Sequence, residues 1–300
     1  MKKLVLILIF ITTVSTTYAC EFCGCGVGNF YLGILPQFSK NFVGVRYQAQ
    51  RFDSHVGLHP SLATSEYFQS TEVWGRFYPI PKLQVMTMVT YHVNKQITTS
   101  GNVYLEGLGD IPVLVNYNVF TTTRDDEDHL VNHDLWMGGG AKLPTGKYKF
   151  LETPTEVANP NFQLGTGSLD FFMNGLYTLR YKKVGINADV TYKINTYNND
   201  QYRFGNKFNG SAAFVFVQQL GALGIMPSAG MYVEDSAQNK SGDITITDSG
   251  GSAKFATAGM QLYWGKISIG GIYRTPLSQN LANGRIKAND RVMAHLSFLF

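Results

Sequence analysis

Residues 184–196 alternate strictly between apolar and polar side chains, a pattern that few folds accept. The apolar set is Ile186, Ala188, Val190, Tyr192 and Ile194, and the polar set between them is Asn187, Asp189, Thr191, Lys193 and Asn195. Successive side chains of a β-strand point to opposite sides of the sheet. The segment therefore predicts a strand that separates an apolar surrounding from a polar one.

The same alternation recurs along the chain and predicts an all-β fold. We place twelve strands, near 42–52, 67–78, 82–94, 110–122, 132–143, 166–180, 184–196, 206–218, 224–235, 254–264, 266–275 and 290–300. Soluble strands usually have about 5–6 residues, whereas about 9–11 cross a bilayer at a tilt, and these segments are of the longer kind. They predict a transmembrane antiparallel up-and-down β-barrel of about 12 strands, closed so that no backbone edge meets lipid.

The connections between the predicted strands differ in length in a regular order. The odd-numbered connections are long and lie at 53–66, 95–109, 144–165, 197–205, 236–253 and 276–289. The even-numbered ones are mostly short, as at 79–81, 181–183 and 264–266, and only 123–131 departs. Outer-membrane barrels have long extracellular loops and short periplasmic turns. A soluble β-sandwich, the alternative fold, gives no reason for this order.

Composition excludes two other classes of protein. Charged residues make up only 15% of the chain and aromatic residues 13%, which is the reverse of a disordered chain. Beyond the N-terminus, no apolar run reaches the roughly 18 residues that a membrane-spanning helix needs. The formal net charge of +4 is too small to attract nucleic acid, so we expect no such partner.

The N-terminus has the order of a secretory signal peptide. Two lysines precede an apolar core at 4–11, and small residues then mark a cleavage site after Ala19. We therefore predict a signal peptide at 1–19, a Cys-rich N-terminal segment at 20–40 and an outer-membrane β-barrel at 41–300.

All three cysteines of the chain lie together, at Cys20, Cys23 and Cys25. Three thiolates at this spacing suit Cu(I) or Zn, which makes the cluster a candidate metal site. The alternatives are a local disulfide with one remaining thiol, or a lipidated Cys20. We expect no cofactor for the barrel itself.

The polar faces of the predicted strands supply candidate lumen residues. They are Arg46, Glu72, Arg76, His92, Asp134, Lys142, Asp170, Arg180, Asp189, Lys193, Glu234, Arg274, Arg291 and His295. The mixed charges indicate either a selectivity zone across a pore or paired ions that fill the interior. Twelve strands lie between the roughly eight that side chains fill and the roughly 16 of an aqueous porin, so we expect a narrow or loop-constricted channel.

Three short glycine-containing segments carry a family resemblance. They are Gly107–Asp110, Leu143–Gly146 and Leu164–Asp170. With the loop at Pro276 and the final Phe300, their order resembles the outer-membrane barrel proteins of the MetA-pathway-of-phenol-degradation transporter type. The resemblance implies an outer-membrane barrel that takes up small, apolar or aromatic molecules, without catalytic residues. Also by resemblance, Phe298 and Phe300 form the C-terminal signal that the barrel-assembly machinery reads.

These observations predict a monomeric channel in the outer membrane, through which small molecules pass passively. Its expected partners are membrane lipid, the barrel-assembly machinery and a small-molecule solute, and we do not expect an enzyme. One alternative is a membrane-embedded hydrolase, since His92 and His295 are candidate bases and Ser297 shares the face of His295. The other is a structural or metal-binding surface barrel that acts through the cysteine cluster.

Overall fold

The computed structural model describes residues 40–54, 63–99, 101–122, 131–148 and 162–300. Regular structure within these ranges is β, apart from one 3-10 turn at Ala282–Gly284. Among the described residues, no helix is long and apolar enough to cross a membrane. The predicted signal peptide and the cysteine cluster lie outside the described residues.

The strands are long and follow one another closely. In chain order they are β1 (Phe42–Ser54), β2 (Thr64–Ile80), β3 (Leu83–Thr98), β4 (Gly101–Leu108), β5 (Ile111–Thr121), β6 (Val131–Leu143), β7 (Asp170–Tyr181), β8 (Val184–Ile194), β9 (Tyr202–Arg203), β10 (Lys207–Phe216), β11 (Gln218–Leu220), β12 (Leu223–Ser236), β13 (Lys240–Ser241), β14 (Ile244–Thr245), β15 (Gly251–Trp264), β16 (Ile267–Leu281) and β17 (Ile286–Leu299).

The long strands form a closed antiparallel ring. Its order is β1-β2-β3-β5-β6-β7-β8-β10-β12-β15-β16-β17, and β17 returns to pair with β1 from Phe42↔Leu299 to Ser54↔Ile286. β4 pairs with the second half of β3 and β5 pairs with its first half, so β4 and β5 are two halves of one barrel strand. The short strands β9, β13 and β14 form a small sheet in the loops. The predicted twelve-stranded barrel is confirmed.

The wall of the barrel has two different faces, as the alternation predicted. On β17, the side chains of Val292, Leu296 and Phe298 are between 46% and 54% exposed, whereas those of Met293 and His295 are at most 8% exposed. The apolar side chains thus point outward, and the inward side chains are packed. Short periplasmic turns are typical of such barrels, so the end with the β7–β8 and β15–β16 turns is the periplasmic one.

Two predicted loops, 95–109 and 276–289, are wrong, because strand continues through most of both. β3 runs to Thr98 and β4 begins at Gly101, while β16 runs to Leu281 and β17 begins at Ile286. The outer face of a strand must be strictly apolar only where it contacts lipid. Above the lipid, backbone pairing continues but the alternation is weaker, so the sequence of these strand ends resembles that of a loop.

The glycines at 138–140 allow close packing in the wall. A Cβ added at Gly140 would lie 2.0 Å from the carbonyl oxygen of Val113, and one at Gly138 would lie 2.1 Å from that of Val115. Real side chains do not approach a backbone so closely, so β6 needs glycine here to keep its register with β5.

Replacing Gly140 with alanine is therefore expected to destabilise the barrel by about 1–3 kcal/mol, the usual cost of overpacking. Urea unfolding in detergent micelles, followed by tryptophan fluorescence, measures this change. Gly271→Ala is the matched control, since its added Cβ would meet only the carbonyl oxygen of Met293, at 3.4 Å. Equal stability of the two variants would contradict the packing argument.

Candidate functional site

Three glycine-containing segments that are far apart in sequence meet at the carboxylate of Asp110. Its Oδ1 accepts a hydrogen bond from the backbone N–H of Gly146 (2.9 Å), and its Oδ2 accepts one from that of Thr166 (2.9 Å). The hydroxyl of Thr145 donates to the carbonyl of Gly109, also at 2.9 Å. Asp110 therefore ties the end of β6 and the start of β7 to the junction of β4 and β5.

Glycine is required where these segments touch. A Cβ at Gly165 would lie 2.4 Å from Oδ1 of Asp110, and a Cβ at Gly146 would lie 2.8 Å from the carbonyl oxygen of Leu164. The glycines of the short motifs therefore have a packing role, which is to let three backbone segments approach one carboxylate.

Charged side chains complete this cluster, which we call the latch: Asp110, Lys142, Thr166, Ser168, Asp170 and Lys193. Lys142 forms ion pairs with Asp110 and, at 2.9 Å, with Asp170. Asp170 also pairs with Lys193 at 3.1 Å and accepts a hydrogen bond from the Ser168 hydroxyl at 2.8 Å. All these side chains are buried, where charges persist only when they are paired and hydrogen-bonded.

The latch holds residues 162–168 inside the barrel mouth. Phe162 is 2% exposed, and its ring lies 6.1 Å from that of Phe68 on β2. Leu164 is buried in the same apolar cluster, whose members are Phe52, Phe68, Leu105, Phe162, Leu164, Tyr232, Ala253, Phe255, Leu281, Ala282, Ile286 and Ala288. The last part of the β6–β7 loop thus folds inward and narrows the interior.

A second charged group lies in the interior at the level of the mouth. Glu234 on β12 accepts two hydrogen bonds from the guanidinium of Arg291 on β17, at 2.9 Å and 2.7 Å. Since β15 and β16 lie between these strands in the ring, the pair reaches across the inner face of those two strands. The guanidinium of Arg291 lies 4.2 Å from the centre of the Phe255 ring, and that of Arg274 lies 4.1 Å from the centre of the Tyr232 ring. Cation–π contacts of this kind stabilise buried arginines.

A third group lies nearer the periplasmic end. Nε of Arg46 donates to Glu72 at 2.6 Å, and the Arg46 guanidinium lies 4.8 Å from the centre of the Trp74 ring. Asp134 accepts hydrogen bonds from Asn118 at 2.7 Å and from Trp136 at 2.9 Å. Trp74 belongs to an apolar cluster at the same height in the barrel, whose members are Phe42, Trp74, Met86, Met88, Leu114, Phe172 and Leu299.

The predicted lumen residues therefore fall into separate groups. Asp189 accepts a hydrogen bond from Ser211, and the guanidinium of Arg76 lies 5.1 Å from the centre of the Phe42 ring. His92 lies beside the latch, where a Cβ on Gly109 would come 2.6 Å from its Nε2. Arg180 donates to the carbonyl of Lys182 in a turn.

Sequence reasoning missed two features of the interior. The sequence motif that contains Asp110 indicates only a family resemblance, whereas in the structure its carboxylate is the acceptor that organises the latch. The interior also contains Phe68, Trp74 and Phe172, all at most 4% exposed, where we had expected a polar lumen. The sequence of β2 contains a signal for these inward aromatic residues. Phe68 and Trp74 are separated from Glu72 and Arg76 by even numbers of residues, so all four side chains lie on the same face of the strand.

Among the described residues, no hydrogen bond joins His295 to Ser297, two residues of the hydrolase alternative. Nε2 of His295 lies 3.1 Å from the amide nitrogen of Gln261, and its ring packs on Trp74. Within the described residues, neither Nδ1 of His295 nor Oγ of Ser297 has a hydrogen-bond partner. The described part of the chain also holds no group of three or more His, Cys, Asp or Glu that could bind a metal ion.

The same fold occurs in solved outer-membrane proteins. An outer membrane channel from Pseudomonas putida F1 is 12% identical and has a TM-score of 0.63, with 89% of this chain and 100% of that chain covered. The β domain of the Bordetella autotransporter BrkA is 10% identical and has a TM-score of 0.50, with 87% and 100% covered. No protein-family model matches the chain, and no curated protein matches its sequence significantly. At these identities, the likeness establishes the outer-membrane barrel fold.

Loss of Lys142 is expected to disrupt the latch. In Lys142→Met, the buried carboxylates of Asp110 and Asp170 lose the cation between them, which costs about 3–5 kcal/mol of unfolding free energy. Urea unfolding in detergent micelles measures the change. Arg285→Met is the control: its partner is Asp248 and its side chain is 39% exposed, so about 1 kcal/mol or less is expected. A similar loss for both variants would count against a buried latch.

Proposed function

We propose that this chain is an outer-membrane channel through which small molecules pass passively, and that the latched loop sets its width. The observation that carries the proposal is the inward fold of residues 162–168 in a closed barrel with an apolar outer face. A barrel that served only as a surface anchor would gain nothing from a loop held inside its mouth by buried ion pairs.

Several features support a place in the outer membrane. The predicted signal peptide at 1–19 would direct export. Phe298 and Phe300, the proposed assembly signal, are both about half exposed on the outer face, with their rings stacked at 6.5 Å. Aromatic side chains favour the interface between lipid and water. Because one chain closes the ring by itself, we propose that it acts as a monomer.

The proposed solutes are small apolar or aromatic molecules. Apolar side chains lie inside the barrel at two levels, in the mouth around Phe68 and nearer the periplasm around Trp74. Aromatic rings and methionines line sites for apolar ligands because they offer large contact areas without demanding hydrogen bonds. The arginines that face these rings can also contact an aromatic solute by cation–π interactions.

The width of the channel is expected to depend on Phe162. In planar bilayers, the wild-type protein should conduct, and Phe162→Ala should raise the single-channel conductance because it removes a ring from the narrowed mouth. Phe171→Ala is the matched control, since Phe171 is 46% exposed on the outer face and should leave the conductance unchanged.

Two results would contradict the channel. Absence of both conductance and solute uptake into liposomes by the folded wild-type protein would reject it. Hydrolysis of a fluorogenic lipid ester, lost in His295→Ala, would instead favour the membrane-embedded hydrolase.

A further inference from the structure

Two arginines face each other on the inner side of the barrel wall. Arg274 on β16 pairs directly with Arg291 on β17, and both side chains are at most 6% exposed. Like charges directly opposite each other destabilise a sheet. An anion that contacts both guanidiniums removes this repulsion, so the pair favours an anionic ligand.

The charges around the pair leave an excess of positive charge. Glu234 interacts electrostatically with Arg274, Arg291 and Lys207, and Asp189 interacts with Arg274. Among the described residues, these interactions set three cations against two carboxylates. Both oxygens of Glu234 already accept hydrogen bonds from Arg291. The excess of positive charge therefore suits a further carboxylate beside the arginines.

A small cavity lies next to the pair. Its volume is about 20 Å³, and its lining includes Arg274, Arg291 and Gln50. One water molecule needs roughly 10–15 Å³, so the cavity has room for a small polar head group. A guanidinium has five N–H donors in a planar fork that matches the two oxygens of a carboxylate, and a glutamine amide can donate as well. The lining of the cavity therefore fits a carboxylate.

Aromatic rings continue from the cavity into the barrel mouth. The guanidinium of Arg291 lies 5.3 Å from the centre of the Phe52 ring. Gln50 pairs with Phe68 on β2, and the Phe68 ring packs against that of Phe162 in the latched loop. A ligand with its carboxylate in the cavity can thus place an apolar or aromatic body against these rings, where its removal from water is favourable.

We propose that Arg274 and Arg291 form a binding site for the carboxylate of small apolar or aromatic acids, and that such acids are solutes of the channel. This inference rests on the proposed channel function and narrows its class of solutes. A neutral analogue of the same size would lack the charge-assisted hydrogen bonds, and the arginines would repel a cationic one.

The test compares three aromatic probes of similar shape: 4-fluorobenzoate, 4-fluorobenzyl alcohol and 4-fluorobenzylammonium. Their binding to the purified protein in detergent micelles is measured by fluorine NMR titration, with protein-free micelles as the baseline. The wild type should bind 4-fluorobenzoate about tenfold or more tightly than the alcohol, as expected for charge-assisted hydrogen bonds, and should bind the ammonium probe most weakly. Equal dissociation constants for the three probes would overturn the site.

Three variants locate the binding of 4-fluorobenzoate. Arg274→Met removes one charge but keeps a long side chain, and should weaken binding about tenfold. Arg51→Met is the matched control, since Arg51 adjoins Gln50 in the sequence but its side chain is 44% exposed, so the dissociation constant should not change. Glu234→Gln removes a competing negative charge and should tighten binding, a gain that misfolding cannot produce.

The outcomes separate the two proposals. A wild type that conducts in planar bilayers but binds the three probes equally would overturn the acid site and keep the channel. Preferential binding of 4-fluorobenzoate by a wild type that neither conducts nor admits solutes into liposomes would support the site and overturn the channel. Unchanged binding in both Arg274→Met and Glu234→Gln would overturn the role of the arginine pair.

Discussion

Every backbone N–H and C=O that lies away from water must find a partner, and the rest of this structure depends on that constraint. It forces the strands into a ring, and it explains why β17 returns to β1 along nearly its whole length, from Leu299 to Ile286. The same rule holds where the ladder between β16 and β17 is interrupted, between Arg274↔Arg291 and Leu281↔Ile286. There the side-chain amide of Gln279 satisfies both backbone polar groups of Ala288.

The interior is governed by a second requirement, that buried charges be matched. Lys142 can lie fully buried because Asp110 and Asp170 both contact it. The same carboxylate of Asp110 accepts two backbone N–H groups, so matching one charge also fixes the position of a loop. Apolar packing of Phe162 and Leu164 alone would be less specific, because it is not directional. The buried ion pairs of the latch thus determine the shape of the barrel mouth.

Much of the fold followed from local pattern. The alternation at 184–196 predicted β8, which the structure places at Val184–Ile194, and the strand predicted near 290–300 corresponds to most of β17 (Ile286–Leu299). The pattern failed at 95–109 and 276–289, where strands continue above the lipid and the outer face need not be apolar. It also did not identify Asp110 as an interior residue. Asp110 is the first residue of the predicted strand 110–122, and the next positions of the same parity, Pro112 and Leu114, are apolar.

The sequence by itself determined a wall with two faces, its approximate number of strands and the inward direction of residues such as Lys142 and Asp170. These properties depend on neighbours two positions apart, and such spacing can be read along the chain. Only the tertiary structure decided which charges pair, that the interior is partly apolar and that a loop folds into the mouth. Asp110 and Thr166 are 56 residues apart, and closure of the ring and register of its strands bring them together.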